Sequence, residues 1–421
     1  MPASSPDIPE LFFQAFQPEF VRYFRIIDQN RKFIPADAVA GSFFPENVLH
    51  TSGRVHHHLV SCSPSVLFVD HAKLIDIDIH KKDIPVSAHI CPVACFAQKP
   101  YKVVFYNFEN LFDTIHDPGV LDEEFTPEGP KKWNSAKYTR KIGNLERVLF
   151  DIAAEDKDYP VVIGVSEIEN RSVMEDVIAQ PKLAPGNYRI VHYDSPDARG
   201  VDVAFYYRPD VFKLEGSAAI PFKMPELPNF RTRDFVTMWG TIDSEPFFFL
   251  VSHWPSRLGG KEASAPKRLA AAKQVKHIVD SVTAANPATK VVVMGDLNDD
   301  ATDDSIVEGL RAKGKIKEVG KGDMFNPFIG LLKAGYGTLA YRDEWNLFDN
   351  IIVSENLATG STGSLKIQPA GNSKFYGGIF RRPYMIQKEG QYKGYPLRTF
   401  VGNDFQGGFS DHFPVYIYIA K

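Results

Sequence analysis

From Lys102 onward the chain alternates between short apolar runs and longer amphipathic ones. The runs "KVVFYNF" (102–108), "YPVVIGVSEIE" (159–169), "VDVAFYYRP" (201–209), "PFFFLVSHWP" (246–255), "TKVVVMGDLN" (289–298), "LFDNIIVS" (347–354) and "HFPVYIYI" (412–419) are rich in Val, Ile, Phe and Tyr. Pro, Gly, Asn and Asp bound them, which predicts strands. Between them, 135–155 places Tyr138, Ile142, Leu145, Val148 and Leu149 on one stripe, and 265–286 does the same with Leu269, Ala272, Val275, Ile278 and Val282. Apolar residues at that spacing predict helices with one buried face. The sum is a mixed α/β domain whose sheets are covered by helices, with no repeat of solenoid length.

The first hundred residues have a different texture. They hold most of the histidines and scattered Pro and Ser, with apolar order only in short runs such as "SVLFVDHAKLIDIDIH". His56, His57 and His58 lack an acid or thiol at ligand spacing and read as a solvated loop. In "IPVSAHICPVACFAQKPYK" an apolar run ends on "ACFA" before Gln98, like the end of a secretory signal peptide. It starts late in the chain and lacks a continuous apolar core, so an incidental linker is the competing reading. The expected organisation is an N-terminal extension over 1–99, with a cryptic signal peptide at about 84–98, and a catalytic domain over 100–421. Secretion or a periplasmic location follows from the first reading, a cytoplasmic one from the second.

Composition narrows the partners. At 421 residues, 44% hydrophobic and 24% charged, the chain reads as globular with a sizeable core. Lys+Arg 48 against Asp+Glu 52 leaves a net charge of −4, so no general positive field draws in nucleic acid or an anionic membrane surface. A phosphate-bearing partner must be held by a local site. No stretch approaches the roughly 20 apolar residues of a transmembrane helix, and nothing points to an obligate protein partner. Cys62, Cys91 and Cys95 match no zinc spacing, and everything after them folds without a disulfide.

The polar residues sit at the strand ends: Asn107 with Glu109, Glu167 with Glu169, His253, Asp296 with Asn298, Asp349, and Asp411 with His412. Side chains two apart on a strand share a face, so each spaced pair is expected to point one way. Carboxylate and amide oxygens without thiolates suit Mg²⁺ or Mn²⁺, the usual companions of a substrate phosphate. A histidine beside an acid can activate water, and a second can neutralise charge growing on phosphorus oxygens. Taken singly each signal is weak, because "GDLN" is also an ordinary turn and "SDH" an ordinary cap.

As an ordered set, "YNFENLFD", "GVSEIEN", "RGVDVAFYYRPD", "VSHWPSR", "GDLND", "WNLFDNIIVS" and "GGFSDHFPVY" resemble the endonuclease/exonuclease/phosphatase superfamily, the DNase I-like fold. The resemblance spans Tyr101 to Lys421. It implies an α/β four-layer sandwich, two packed mixed β-sheets flanked by helices, and metal-dependent hydrolysis of a phosphoester, DNA or RNA included. It also implies roles: Glu167 as principal metal ligand, with Asn107, Glu109 and Asp411 at the metal; Asp296 and Asn298 at the attacking water and phosphate. Either Asp296 or His412 is the base, Asp349 orients His412, and His253 protonates the leaving oxygen. Abasic-site nucleases carry Tyr where His253 stands, which argues against that activity. Arg199, Arg231, Arg233 and Arg257 are candidate phosphate clamps with ion pairing as the competing reading. The aromatics Trp345, Tyr392, Tyr395, Phe400, Phe405 and Phe409 either grip substrate or pack the core. Endonuclease activity is the leading expectation, a phosphatase or lipid phosphodiesterase the runner-up, and a non-catalytic binding module the alternative of another class.

Overall fold

The computed structural model describes residues 99–421. The histidine run, the three cysteines and the signal-like segment all fall outside the described residues.

Two seven-stranded sheets carry the domain. The first contains β1 (Tyr101–Leu111), β2 (Val162–Ile168), β3 (Arg189–His192) and β4 (Asp202–Tyr207). The second opens with β5 (Lys213–Ile220), β6 (Phe235–Ile242), β7 (Glu245–His253) and β8 (Lys290–Asp296), and adds β9 (Ala312–Lys313) and β10 (Met324–Phe325). A small hairpin, β11 (Leu339–Tyr341) with β12 (Glu344–Asn346), precedes β13 (Asp349–Ser354), which returns to the second sheet. The first sheet is then completed by β14 (Lys366–Gln368) and β15 (Gly377–Ile379), and, after the hairpin β16 (Phe400–Val401) and β17 (Asp404–Phe405), by β18 (Val415–Ala420). Its order is β14-β18-β1-β2-β4-β3, with β15 also on β18; the second runs β5-β6-β7-β8-β13-β10-β9. Both sheets are mixed: β1 and β2 run parallel, as do β7 and β8, while β18 and β13 lie antiparallel beside them.

The sheets stack face to face. Phe105, Val162 and Phe205 of the first meet Met238, Phe249 and Met294 of the second in one fully buried core. The sheets approach closely at Gly164, where a Cβ would come within 2.4 Å of the Met294 sulfur and force that side chain to move. Helix α1 (Ser135–Asp156) covers the outer face of the first sheet with Ile142, Leu145, Val148 and Leu149, as its period predicts. Asn134 caps it by accepting the Lys137 N–H. Helix α2 (Arg171–Ile178) covers the same face, and α3 (Lys261–Ala285) covers the second sheet with Ala272, Val275, Ile278 and Val282. The result is the expected four-layer sandwich.

Every strand expected from the sequence is present; β3, β5, β6 and the short strands β9–β12 and β14–β17 lie outside those runs. β5 is edge-placed, half-buried and built of small residues ("KLEGSAAI"), so it offers no apolar run to read. The aromatics at 392–409 chiefly pack. Phe400 and Phe405 lie against Trp133, Phe409 against Tyr384, and Trp345 stacks on Phe413.

Candidate active site

Register alone assembles half of the site. In the second sheet His253 of β7 pairs with Asp296 of β8, which pairs with Asp349 of β13, so three strands deliver their site residues on one rung. Gly295 permits this: a Cβ there would lie 1.9 Å from the Ser252 carbonyl oxygen. His412, on the loop before β18, closes the group. Its Nδ1 lies 2.7 Å from Asp349 Oδ2 and its Nε2 lies 3.7 Å from Asp296 Oδ2. Asp296, Asp349 and His412 are all buried and offer ligand atoms within 4.8 Å of one another.

The first sheet reaches across. Asn107 Nδ2 donates to Asp296 Oδ2 at 3.1 Å, and Asn107 Oδ1 accepts the Glu109 N–H at 2.8 Å. Both polar ends of that amide therefore have protein partners, and its evident task is to hold Asp296. Ser410 ties the His412 loop down by donating to the Asn107 carbonyl at 2.7 Å.

Pleat parity does not survive at the strand ends. Glu109 and Asn110 (φ 49° and 50°) and Glu167 (φ 58°) are left-handed, and the ladder slips between Asn107 and Leu111 and between Ser166 and Ile168. Non-glycine residues enter that region at a cost and concentrate at functional sites. Glu167 remains at the cluster: Oε2 accepts the Asn110 N–H at 3.0 Å, and Oε1 lies 3.9 Å from His253 Nε2. Glu169, expected beside it, turns away to accept the Asp113 N–H at 2.6 Å. Glu109 turns from Asn107 towards Lys141 and the Thr399 N–H. Asn298 (φ 51°) folds back, its N–H donating to Asp296 Oδ1 and its side-chain amide to the Trp254 carbonyl.

The electrostatics separate the two imidazoles. Burial, reinforced by the nearby cations Arg233, Arg199 and His412, holds His253 well below the ordinary histidine value and keeps it neutral. Its Nδ1 is buried without a partner while Nε2 faces the carboxylates, 3.5 Å from Asp296. The tautomer that fits is therefore Nε2–H. His412 goes the other way: burial opposes its charge, but Asp349, Asp296 and Asp411 outweigh it and raise the ring well above its usual value. Asp296 is pushed up to about 6 by burial, Asp349 and Glu167, against the pull of His412.

The arginines divide. Arg233 is buried, bound to Asp197 and the Trp254 carbonyl, and Arg199 is half-exposed beside the same aspartate. Both act on His253. Arg257, expected as a phosphate clamp, is instead saturated: it reaches Asp299, Asp300 and Asp303 at 3.4, 3.2 and 2.8 Å and lies over the Phe348 ring. Its job is to fix the loop after β8. No ion pair is described for Arg231. Two residues escaped sequence reasoning. Arg398 pairs with Asp411 at 3.3 Å, and Lys141 sits buried on the apolar stripe of α1. A lysine three after Tyr138 and four before Leu145 was the signal for it. Beside them a cleft of about 180 Å³ opens between Glu109, Lys131, Arg398, Phe400 and Asp411.

A family model described as "Endonuclease/Exonuclease/phosphatase family" matches residues 102–421. The chain belongs to that family. Membership makes it a phosphoester hydrolase of a class that typically depends on a divalent metal. Among solved structures, a humanized D. rerio TDP2 aligns at 13% identity over 77% of this chain and 100% of its own, with a TM-score of 0.46. The human Nocturnin catalytic domain aligns at 14% over 76% and 94%, with 0.44. A mannosyl-6-phosphatase of Bacteroides thetaiotaomicron aligns at 17% over 76% and 100%, with 0.45. No curated protein sequence matches the chain.

Proposed function

We propose that this family member is a divalent-metal-dependent phosphodiesterase, endonuclease-like in its action on DNA or RNA. The observation that carries the reading is the rung His253–Asp296–Asp349 with His412 hydrogen-bonded behind it. It places an acid able to take a proton between a neutral imidazole and a charged one.

The donor set fits a hard cation. Site oxygens come from carboxylates and amides, and the described residues contain no cysteine. Glu167 has no Lys or Arg within ion-pairing distance among the described residues, and the buried Asp349 Oδ1 has no hydrogen-bond partner. Glu167 would hold Mg²⁺ or Mn²⁺, with Asp411 as the further carboxylate and Asn107 acting through Asp296; when bound, the ion supplies positive charge to the phosphoryl oxygens.

The chain's own residues do the rest. Asp296, with its pKa near 6, accepts a proton from the attacking water as the new P–O bond forms. Asn107 and the Asn298 N–H keep its carboxylate in place. His253 presents an N–H to the reacting group, and His412, held charged by Asp349, has a proton to give as the ester P–O bond breaks. Half-exposed Arg199, near His253, and Arg398, at Asp411, offer cations to phosphates on either side of the scissile one, as a polymeric substrate requires. Export directed by residues 84–98 belongs to the same proposal, and N-terminal sequencing that finds Met1 intact would remove it.

The test is a hydrolysis panel with plasmid DNA, single-stranded DNA, RNA, bis-p-nitrophenyl phosphate, p-nitrophenyl phosphate and sphingomyelin, each with Mg²⁺, Mn²⁺ or EDTA. Metal-dependent nicking of DNA or RNA is expected, reduced on the order of a thousandfold in His412→Ala with its melting unchanged. Cleavage confined to a small or lipid phosphoester makes the chain a phosphatase or lipid phosphodiesterase, and silence throughout makes it a binding module.

A further inference from the structure

Lys141 is only 1% exposed, yet it stands on the stripe by which α1 covers the first sheet. Its ammonium has three donors, and three acceptors surround it: Thr399 Oγ1 and the Phe409 carbonyl at 2.7 Å each, and Glu109 Oε2 at 3.6 Å. Burying a charge is costly unless it is paired, and a leucine or methionine would have continued the stripe without that cost. The charge therefore answers an electrostatic need: burial lowers the pKa of the ammonium, and the carboxylates that oppose that shift are Glu109, Asp411 and Glu167.

Of those three, two have a cation of their own. Glu109 has Lys141, and Asp411 has Arg398 at 3.3 Å. Glu167 alone is left without a lysine or arginine in reach among the described residues. A second divalent ion seated at Glu109 would have to sit against a buried ammonium in a low-dielectric site, where like charges repel strongly.

We propose that Lys141 is a built-in cation that fills a second cation position, so that the site takes a single divalent ion, at Glu167. Glu109 is then the partner of Lys141 and not a metal ligand. This deepens the metal-dependent reading above and rests on it.

The test is a calorimetric titration of Mn²⁺ into the EDTA-stripped full chain without substrate. One ion per chain is expected in the wild type, weakened at least tenfold in Glu167→Gln. Lys141→Met is expected to bind two, and the second ion is lost again in Lys141→Met/Glu109→Gln. Should Lys141→Met fail to fold, the charge-neutral double variant decides: affinity within about threefold of wild type supports the assignment, and a loss of tenfold or more makes Glu109 a ligand and overturns it. A folded Lys141→Met that still binds one ion also overturns it. Two ions in the wild type sink this inference alone, whereas none sinks the metal-dependent reading with it.

Discussion

The two sheets contribute to the site by different means. The second sheet delivers His253, Asp296 and Asp349 as neighbours on a regular ladder, and ordinary strand pairing fixes their spacing. The first delivers Glu109 and Glu167 from places where the ladder slips and the backbone turns left-handed. A residue on a rung is held by every hydrogen bond of the sheet, while a residue on a slipped end is held by its side-chain partners. Under the proposed function the proton-accepting Asp296 stands on the rung, where strand pairing fixes mutual distances. Under the same reading Glu167, which would meet the cation, stands where the ladder slips and is aimed out of the pleat.

Breaking the rung should have the largest effect. Asp349→Asn keeps the shape but removes the charge that holds the His412 imidazolium, and kcat should fall on the order of a hundredfold to a thousandfold with little change in KM. The measurement is steady-state kinetics on whichever ester the panel selects; a fall below about threefold would mean the rung is not the chemical centre.

Next comes the bridge between sheets. Asn107→Ala removes a donor to the Asp296 carboxylate, so the acid becomes easier to protonate and its pKa rises. In the wild type, activity should fall with pH below about 6 as Asp296 gains its proton. In the variant that acid limb should move to higher pH, with kcat down roughly tenfold at neutrality. An unmoved limb would assign the proton acceptor elsewhere.

The smallest effect tests the slipped end through stability. Glu169, turned away from the site, is pushed up to about 8, chiefly by burial. The folded chain therefore keeps this proton where the unfolded one, near the ordinary glutamate value, has lost it. That stabilisation is full at low pH and is lost as the pH rises towards 8. Glu169→Gln should raise the melting temperature at pH 8 by about 2 °C and leave it unchanged near pH 4.5, as calorimetry would show. An equal shift at both values would rule out ionisation as the cause.

The same contrast separates what could be read from the amino-acid order from what could not. Ladder positions were legible because an apolar run that ends in "GD" or "SH", or is opened by "FD", states both the strand and the residue at its end. The slipped ends were not, since parity assumes a continuous pleat, and nothing local in "NFEN" or "SEIE" announces φ values near 50°. Lys141 was hidden for a related reason: a stripe is found by its apolar members, and the polar exception looks like solvent-facing chemistry until burial is known. Between clamp and ion pair Arg257 stayed open, because its partners, Asp299, Asp300 and Asp303, lie in a loop whose course the sequence does not reveal. β5 shows the limit for the fold itself, because an edge strand of small residues carries no pattern.

β1 leads the described chain and β18 ends it, yet the two lie side by side in the middle of the first sheet. During synthesis β1 must wait, one edge unpaired, until almost everything else has been made, and contacts so distant in the chain form slowly. Asn107 and His412 travel with those two strands, so the buried cluster around Asp296 is complete only as the sheet closes. A nascent or truncated chain that lacks β18 therefore lacks that cluster too.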